Sequence, residues 1–162
     1  AQVCVDQAMQ YFADEHSIGY FFTAEGAETP VARRKEWFDN ATPSGNSAML
    51  HALSGLHALT GNSRYAAKLE ASLPVYAEYA RKVAAGVAHG LEAAASYHSG
   101  VAVIKVGVDV DMKALRKLLA AKAWRRTFIQ QSMDLSSKQI QVCHGSQCLT
   151  HNDDLAVAMD HM

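Results

Sequence analysis

The chain reads as mainly α, a run of helical hairpins followed by a small α/β tail, and three observations carry that reading. Up to residue 99 the apolar residues recur at helical spacing, most clearly in the stripe Tyr65, Leu69, Leu73, Tyr76, Ala80 and Val83. At Gly100 the pattern changes to the β-branched run Val101-Ala102-Val103-Ile104-Lys105-Val106, the kind found in a buried strand. Connections such as Thr60-Gly61-Asn62 are short, and a short connection turns a helix back on the one before it. The change of pattern divides the chain into residues 1–99 and residues 100–162.

Each element has its own signal. The first residues open on a helical pattern, with Val3, Ala8, Tyr11 and Phe12 at near-helical spacing. Asp6 and Gln10 interrupt it, so it is not the apolar core of a signal peptide. The chain starts at Ala1, already inside that pattern, which implies a cut within a longer chain. Glu15 to Thr23 reads as a turn with an aromatic segment, Tyr20-Phe21-Phe22, and Ala24 to Ala32 as a loop or short helical turn containing Pro30. Pro43-Ser44-Gly45-Asn46-Ser47 leads into a helix from Ser44 to Leu59, which Thr60-Gly61-Asn62 stops. Ser63 caps the next helix. Pro74 lies in its stripe and predicts a bend or split, because proline removes one amide and crowds the preceding turn. Gly86 ends that helix, and Val87 to Tyr97 makes a fourth, rich in alanine. Beyond Gly100, strands are expected at Val101–Val106, Thr127–Gln130 and Gln139–Val142. Asp109 and Asp111 can start a helix carrying Leu115, Leu118 and Leu119. Asn152 to Met159 reads as a short last helix capped by Asn152 or Asp153. No internal repeat is visible.

Composition excludes several classes. Apolar residues make up 49%, too many for a disordered chain, and 162 residues can bury a real core. A formal charge of −1 argues against a nucleic-acid footprint or a polybasic membrane surface. No apolar run approaches the ~18 residues of a membrane span. Three cysteines, Cys4, Cys143 and Cys148, do not describe a secreted disulfide framework, so a reducing cytoplasm is the expected location.

The segment most able to carry chemistry runs from Arg33 to Ser47. Arg33, Arg34 and Lys35 precede Glu36, Asp39 and Asn40, and Ser44, Asn46 and Ser47 stand at a helix start. The first amides of a helix lack intrahelical partners and carry partial positive charge, so they suit polar or anionic ligands. Arg33, Lys35, Glu36, Asp39, Asn40, Ser44 and Asn46 are therefore the candidate binding residues. Glu36 and Asp39 could act as an acid/base pair if their environments separated their pKa values, and salt bridges to Arg33, Arg34 or Lys35 are the plainer alternative. Among Tyr20, Phe21, Phe22, Trp37 and Phe38, Trp37 beside the basic segment could stack on a sugar ring, while buried packing between loop and helices is the commoner role of such aromatics.

Other constellations are weaker. His51 and His57 are six apart, which does not put them on one helix face, whereas metal-binding pairs usually sit four apart. Cys143-His144 with Cys148 and His151 has zinc-ligand types without the two separated pairs of a structural site. A Cys143–Cys148 disulfide fits sterically but is disfavoured in a reducing compartment. The chain lacks a CxxC redox motif, a GxGxxG turn and a Walker A loop. No metal and no cofactor is expected.

Arg33-Arg34-Lys35-Glu36, Asp39-Asn40-Ala41 and Pro43-Ser44-Gly45-Asn46-Ser47 together resemble a signature of the thioredoxin-domain-containing proteins of the spermatogenesis-associated type. Gly19-Tyr20-Phe21-Phe22-Thr23-Ala24 is similar to that family's upstream loop, and Val142-Cys143 with Cys148 to its final strand and following turn. The resemblance covers nearly the whole chain but only the C-terminal part of such a protein. It implies the last hairpins of an (α/α)6 toroid, similar to N-acylglucosamine 2-epimerases and six-hairpin glycosidases, followed by a small α/β tail. A toroid needs about twelve helices, more than a chain of this length holds. The resemblance also implies a sugar-like or other polar small molecule as ligand, with the rest of the parent chain as partner. Isomerase or glycoside-hydrolase-like activity would belong only to the full-length protein. The alternative it leaves open is a non-catalytic ligand-binding or interaction module. Helix faces without their toroid neighbours would lead the isolated chain to self-associate.

Overall fold

The computed structural model describes residues 1–28, 31–121, 127–144 and 147–152. Two compact units emerge, Ala1–Ser99 and Gly100–Met162. The first is helical and the second carries a small mixed sheet, so the chain is mainly α with an α/β tail.

The first unit holds α1 (Gln2–Tyr11), α2 (Gly45–Thr60), α3 (Ser63–Val83), a single 3₁₀ turn (Ala84–Val87) and α4 (Ala88–Ser99). Helix α2 is central, packing against α1, α3 and α4. Its core face is Leu50, Leu53 and Leu56, with Ser54 and Gly55 between them. It ends on Gly61 in the left-handed conformation, and Asn62 then caps α3 by accepting from the Arg64 amide at 2.9 Å. Two residues thus reverse the chain, and α2 and α3 form a hairpin.

The α3 stripe buries Tyr65, Leu69 and Tyr76 almost completely, with Leu73 and Ala80 packed at its edge. Val83 ends the stripe exposed. Pro74 does not split the helix, which runs unbroken for 21 residues. Pro74 is exposed, so the lost amide and the carbonyl it leaves single face solvent rather than the core. On α1 the buried pair is Val5 and Met9, one turn apart, while Val3 and Tyr11 point outward. Asp6 accepts from the Tyr65 hydroxyl at 3.0 Å, which joins α1 to α3.

In the second unit β1 (Ala102–Val106), α5 (Met112–Ala121) and β2 (Thr127–Gln131) form a parallel crossover, and β3 (Gln139–His144) and β4 (Gln147–Asn152) add antiparallel strands. The sheet order is β2-β1-β3-β4. Asp111 caps α5 by accepting from the Lys113 and Ala114 amides. The core is Ile104, Val106, Leu115, Ile140 and Val142.

Two corrections concern this unit. Gln147–Asn152 is a fourth strand, not the turn and helix start expected there; Asn152 is the last residue of β4, and the remainder of the expected helix lies outside the described residues. Cys143 and Cys148 face each other in the β3–β4 register and are joined as a disulfide. Their sulfurs are therefore not zinc ligands, and cross-strand pairing brings them together, against the expectation drawn from a reducing compartment. No helix among the described residues is long and apolar enough to cross a membrane.

Candidate functional site

Residues 32–40 cross the first unit without helix or ladder, and their exposure alternates one by one. Extended backbone sends successive side chains to opposite sides. Arg33, Lys35, Trp37 and Asp39 turn into the protein. Arg34, Glu36, Phe38 and Asn40 turn out. This period of two sorts the charged segment into an anchoring face and an open face.

The anchoring face is engaged with the protein. The Arg33 guanidinium donates to the Thr23 carbonyl at 3.0 and 3.1 Å and to the Tyr11 carbonyl at 3.1 Å, and lies 4.1 Å over the Phe21 ring. Lys35 Nζ donates to the Ile18 carbonyl at 2.8 Å and pairs with Asp14 at 2.5 Å, holding the Asp14 carboxyl below its ordinary range. Trp37 meets Tyr76 edge-on with ring centroids 5.5 Å apart, so its ring belongs to the core. Asp39 Oδ1 accepts from the Ser44 amide and Oδ2 from the His89 amide, both at 2.9 Å.

Burial works against the Asp39 charge, but the Ser44 and His89 amides and the Ser47 side chain outweigh it and hold its pKa below the ordinary 3.8. A lowered carboxyl pKa adds stability above the ordinary value, and that stability is lost as pH falls through the lowered one. Asp39→Asn retains one acceptor but turns an amide donor toward the other N–H. Thermal melts should show a loss of about 1–2 kcal/mol at neutral pH and a shallower decline below pH 3.8 than in the parent. An unchanged acid limb would remove Asp39 from this role.

Ser44 and Asn46 are buried at the start of α2. The Ser44 hydroxyl caps the helix by accepting from the Ser47 amide at 3.1 Å, and Ser47 continues to the Tyr76 hydroxyl at 3.1 Å. Burial raises the Tyr76 pKa. Asn46 bridges loop to loop: Oδ1 accepts from the Tyr20 amide at 2.8 Å, while Nδ2 donates to the carbonyls of Tyr20 at 3.0 Å and Glu36 at 2.8 Å. Gly19 lies against this knot with φ +101°; a Cβ there would sit 2.5 Å from the Trp37 ring.

The open face lines a cavity of about 260 Å³ with Phe22, Arg34, Glu36, Phe38, Asn40, Thr42, Pro43, Ser44 and Gly45. Of the sequence-derived candidates, Glu36, Asn40 and Ser44 reach it; Arg33, Lys35, Asp39 and Asn46 are not among its lining residues. Arg34, Phe22 and Phe38 do line it and were not among the candidates. The i, i+2 spacing of Arg34, Glu36, Phe38 and Asn40 was the available signal, had the segment been read as extended. Among the described residues the Arg34 side chain makes no ion pair or hydrogen bond, whereas Glu36 Oε1 accepts from the Phe38 amide at 3.2 Å.

A second cluster lies across Asp39. His51 of α2 and His89 of α4 have ring centroids 4.0 Å apart, and a His51 ring nitrogen is 2.9 Å from the His89 carbonyl. Glu92, one turn beyond His89, brings Oε2 to 4.0 Å from His89 Nδ1. The sequence pairs His51 with His57, but the fold pairs it with His89, 38 residues away. His57 instead lies near the Tyr97 ring.

The chain is similar to spermatogenesis-associated protein 20 of Rattus norvegicus, at 33% identity over 110 residues. That match covers 67% of this chain and 14% of the rat protein, so the chain spans a small part of its relative's length. The similarity supports a relationship to that protein. No family model matches the chain.

Proposed function

We propose that the chain supplies the closing hairpins of an (α/α)6 toroid in a larger protein, and one wall of a cleft for a sugar-like or other polar small molecule. The reading is supported above all by the alternation of residues 33–40, which brings a guanidinium, a carboxylate, an amide and an aromatic ring to one cavity. Arg34 suits an acidic or phosphorylated substituent through its planar fork. Glu36 and Asn40 suit hydroxyls, and Phe22 and Phe38 offer apolar faces. A few convergent polar groups among apolar walls is the usual composition of a small-molecule site.

Among the described residues Glu36 is the only carboxylate that lines the cavity. Glycosidic chemistry commonly takes two, so any isomerase or hydrolase activity belongs to the full-length protein, where other hairpins would supply the second. The same lone carboxylate favours a second reading, a non-catalytic ligand-binding or interaction module. Full-length protein challenged with sugars and sugar phosphates separates the two. Turnover supports the first reading, and saturable binding without turnover the second. No binding by any member of the panel would count against both.

The cytoplasm is the location this reading assumes, and the Cys143–Cys148 bond runs against a reducing compartment. Thiol titration of freshly extracted protein decides: two additional reactive thiols support the cytoplasm, and an intact bond supports an oxidising compartment.

A further inference from the structure

We propose that His51, His89 and Glu92 form a binding site for a divalent first-row transition ion, with zinc the best match. Two imidazoles and one carboxylate are the three-ligand set of many open zinc sites, in which a water or ligand completes the sphere. The three come from two helices that pack together: His51 from α2, and His89 with Glu92 at i, i+3 on α4, where the helix surface makes them neighbours.

The geometry is near what an ion requires. One ligand atom from each residue falls within 4.8 Å of the other two. Bonds of about 2.0–2.2 Å in a tetrahedral sphere put ligand atoms roughly 3.4 Å apart. Binding thus asks for up to about 1.4 Å of closure on the widest edge. The Glu92 side chain is 53% exposed and His89 34% exposed, so both can rotate inward without repacking the core.

The frame holding these ligands is already built. Asp39 accepts from the His89 amide and from the Ser44 amide, tying the start of α4 to the start of α2. A His51 ring nitrogen 2.9 Å from the His89 carbonyl holds that ring beside His89. His89 and Glu92 at 4.0 Å make a poor ion pair by themselves, and a cation between them and His51 would use both more fully. None of the three residues lines the 260 Å³ cavity, so the proposal stands apart from the sugar-like ligand.

Calorimetric titration of the 162-residue chain with Zn²⁺ tests it, followed by visible absorption with Co²⁺ as a spectroscopic stand-in. One equivalent should bind, with a Co²⁺ spectrum of low-coordinate nitrogen and oxygen ligation. Glu92→Gln should weaken binding more than tenfold with an unchanged melting temperature, and His51→Ala and His89→Ala should abolish it. Cys4→Ser and His16→Ala, both at exposed positions, should leave it unchanged. If a histidine variant fails to fold, Glu92→Gln alone decides. The absence of stoichiometric binding, or binding that survives Glu92→Gln undiminished, overturns the proposal.

Discussion

Asn46→Ala is expected to lower the stability of the helical unit by about 3 kcal/mol or more, read as a shift in the urea midpoint of the far-ultraviolet circular dichroism. The side chain makes three hydrogen bonds, and its loss leaves the Tyr20 amide, the Tyr20 carbonyl and the Glu36 carbonyl each short of a partner. Tyr20 is only 6% exposed, so water does not readily substitute there. A buried polar group left unsatisfied costs about 1–3 kcal/mol, and three together exceed the ~0.5–2 kcal/mol of an ordinary cap. Asn46→Asp makes the cause specific. It retains an acceptor for the Tyr20 amide but sets a carboxylate against two carbonyl oxygens, so aspartate should do no better than alanine. A loss below about 1 kcal/mol for alanine would show that the two loops hold their places without this bridge.

Gly90→Ala should destabilise, although the same change in an open helix gains about 1 kcal/mol from helix propensity. A Cβ at Gly90 would run into the ring of Tyr76. That ring cannot step aside cheaply. It is 1% exposed, meets Trp37 edge-on and is tied at its hydroxyl to Ser47. Overpacking of a filled core costs about 1–3 kcal/mol, which outweighs the propensity gain. A net loss of about 1 kcal/mol is expected for alanine and a larger one for Gly90→Val. Thermal unfolding that shows Gly90→Ala as stable as the parent would mean that α3 and α4 can move apart at this point.

What was legible in the sequence depended on the range of the forces involved. The α3 stripe could be read because burial repeats locally along one helix, and Tyr65, Leu69 and Tyr76 are indeed its buried members. The strand at Ala102–Val106 could be read because a central strand is apolar on both faces. Pro74 leaves α3 unsplit because the rule that proline breaks helices weakens where the freed carbonyl meets water. The fourth strand was hidden because Gln147–Asn152 has little β-branched character and owes its conformation to pairing with β3. In the site, the chemistry of residues 33–47 was visible but its sidedness was not. Helical and extended readings of Arg33 to Asn40 give different faces, and only the neighbours decide. Phe22 donates its amide to the Arg34 carbonyl and Asp39 donates its own to the Gly86 carbonyl, and these bonds hold the segment extended. Asn46 gave no hint that its amide would be taken up by residues 10 and 26 positions away. The meeting of His51 with His89 is tertiary in the same sense.

The central claim is that the outward face of this segment meets ligand while the inward face holds the fold. The direct measurement is a matched set of variants in the full-length protein, each assayed for affinity to a sugar phosphate that the parent binds and for melting temperature. Arg34→Ala should weaken binding at least tenfold with little change in melting temperature, whereas Arg33→Ala and Lys35→Ala should lower the melting temperature and leave the affinity of the folded protein intact. Phe38 packs edge-on against Tyr79 at 4.8 Å as well as lining the cavity, so Phe38→Ala should lower both. The reverse pattern, with binding lost through Arg33 or Lys35 and retained in Arg34→Ala, would contradict the account.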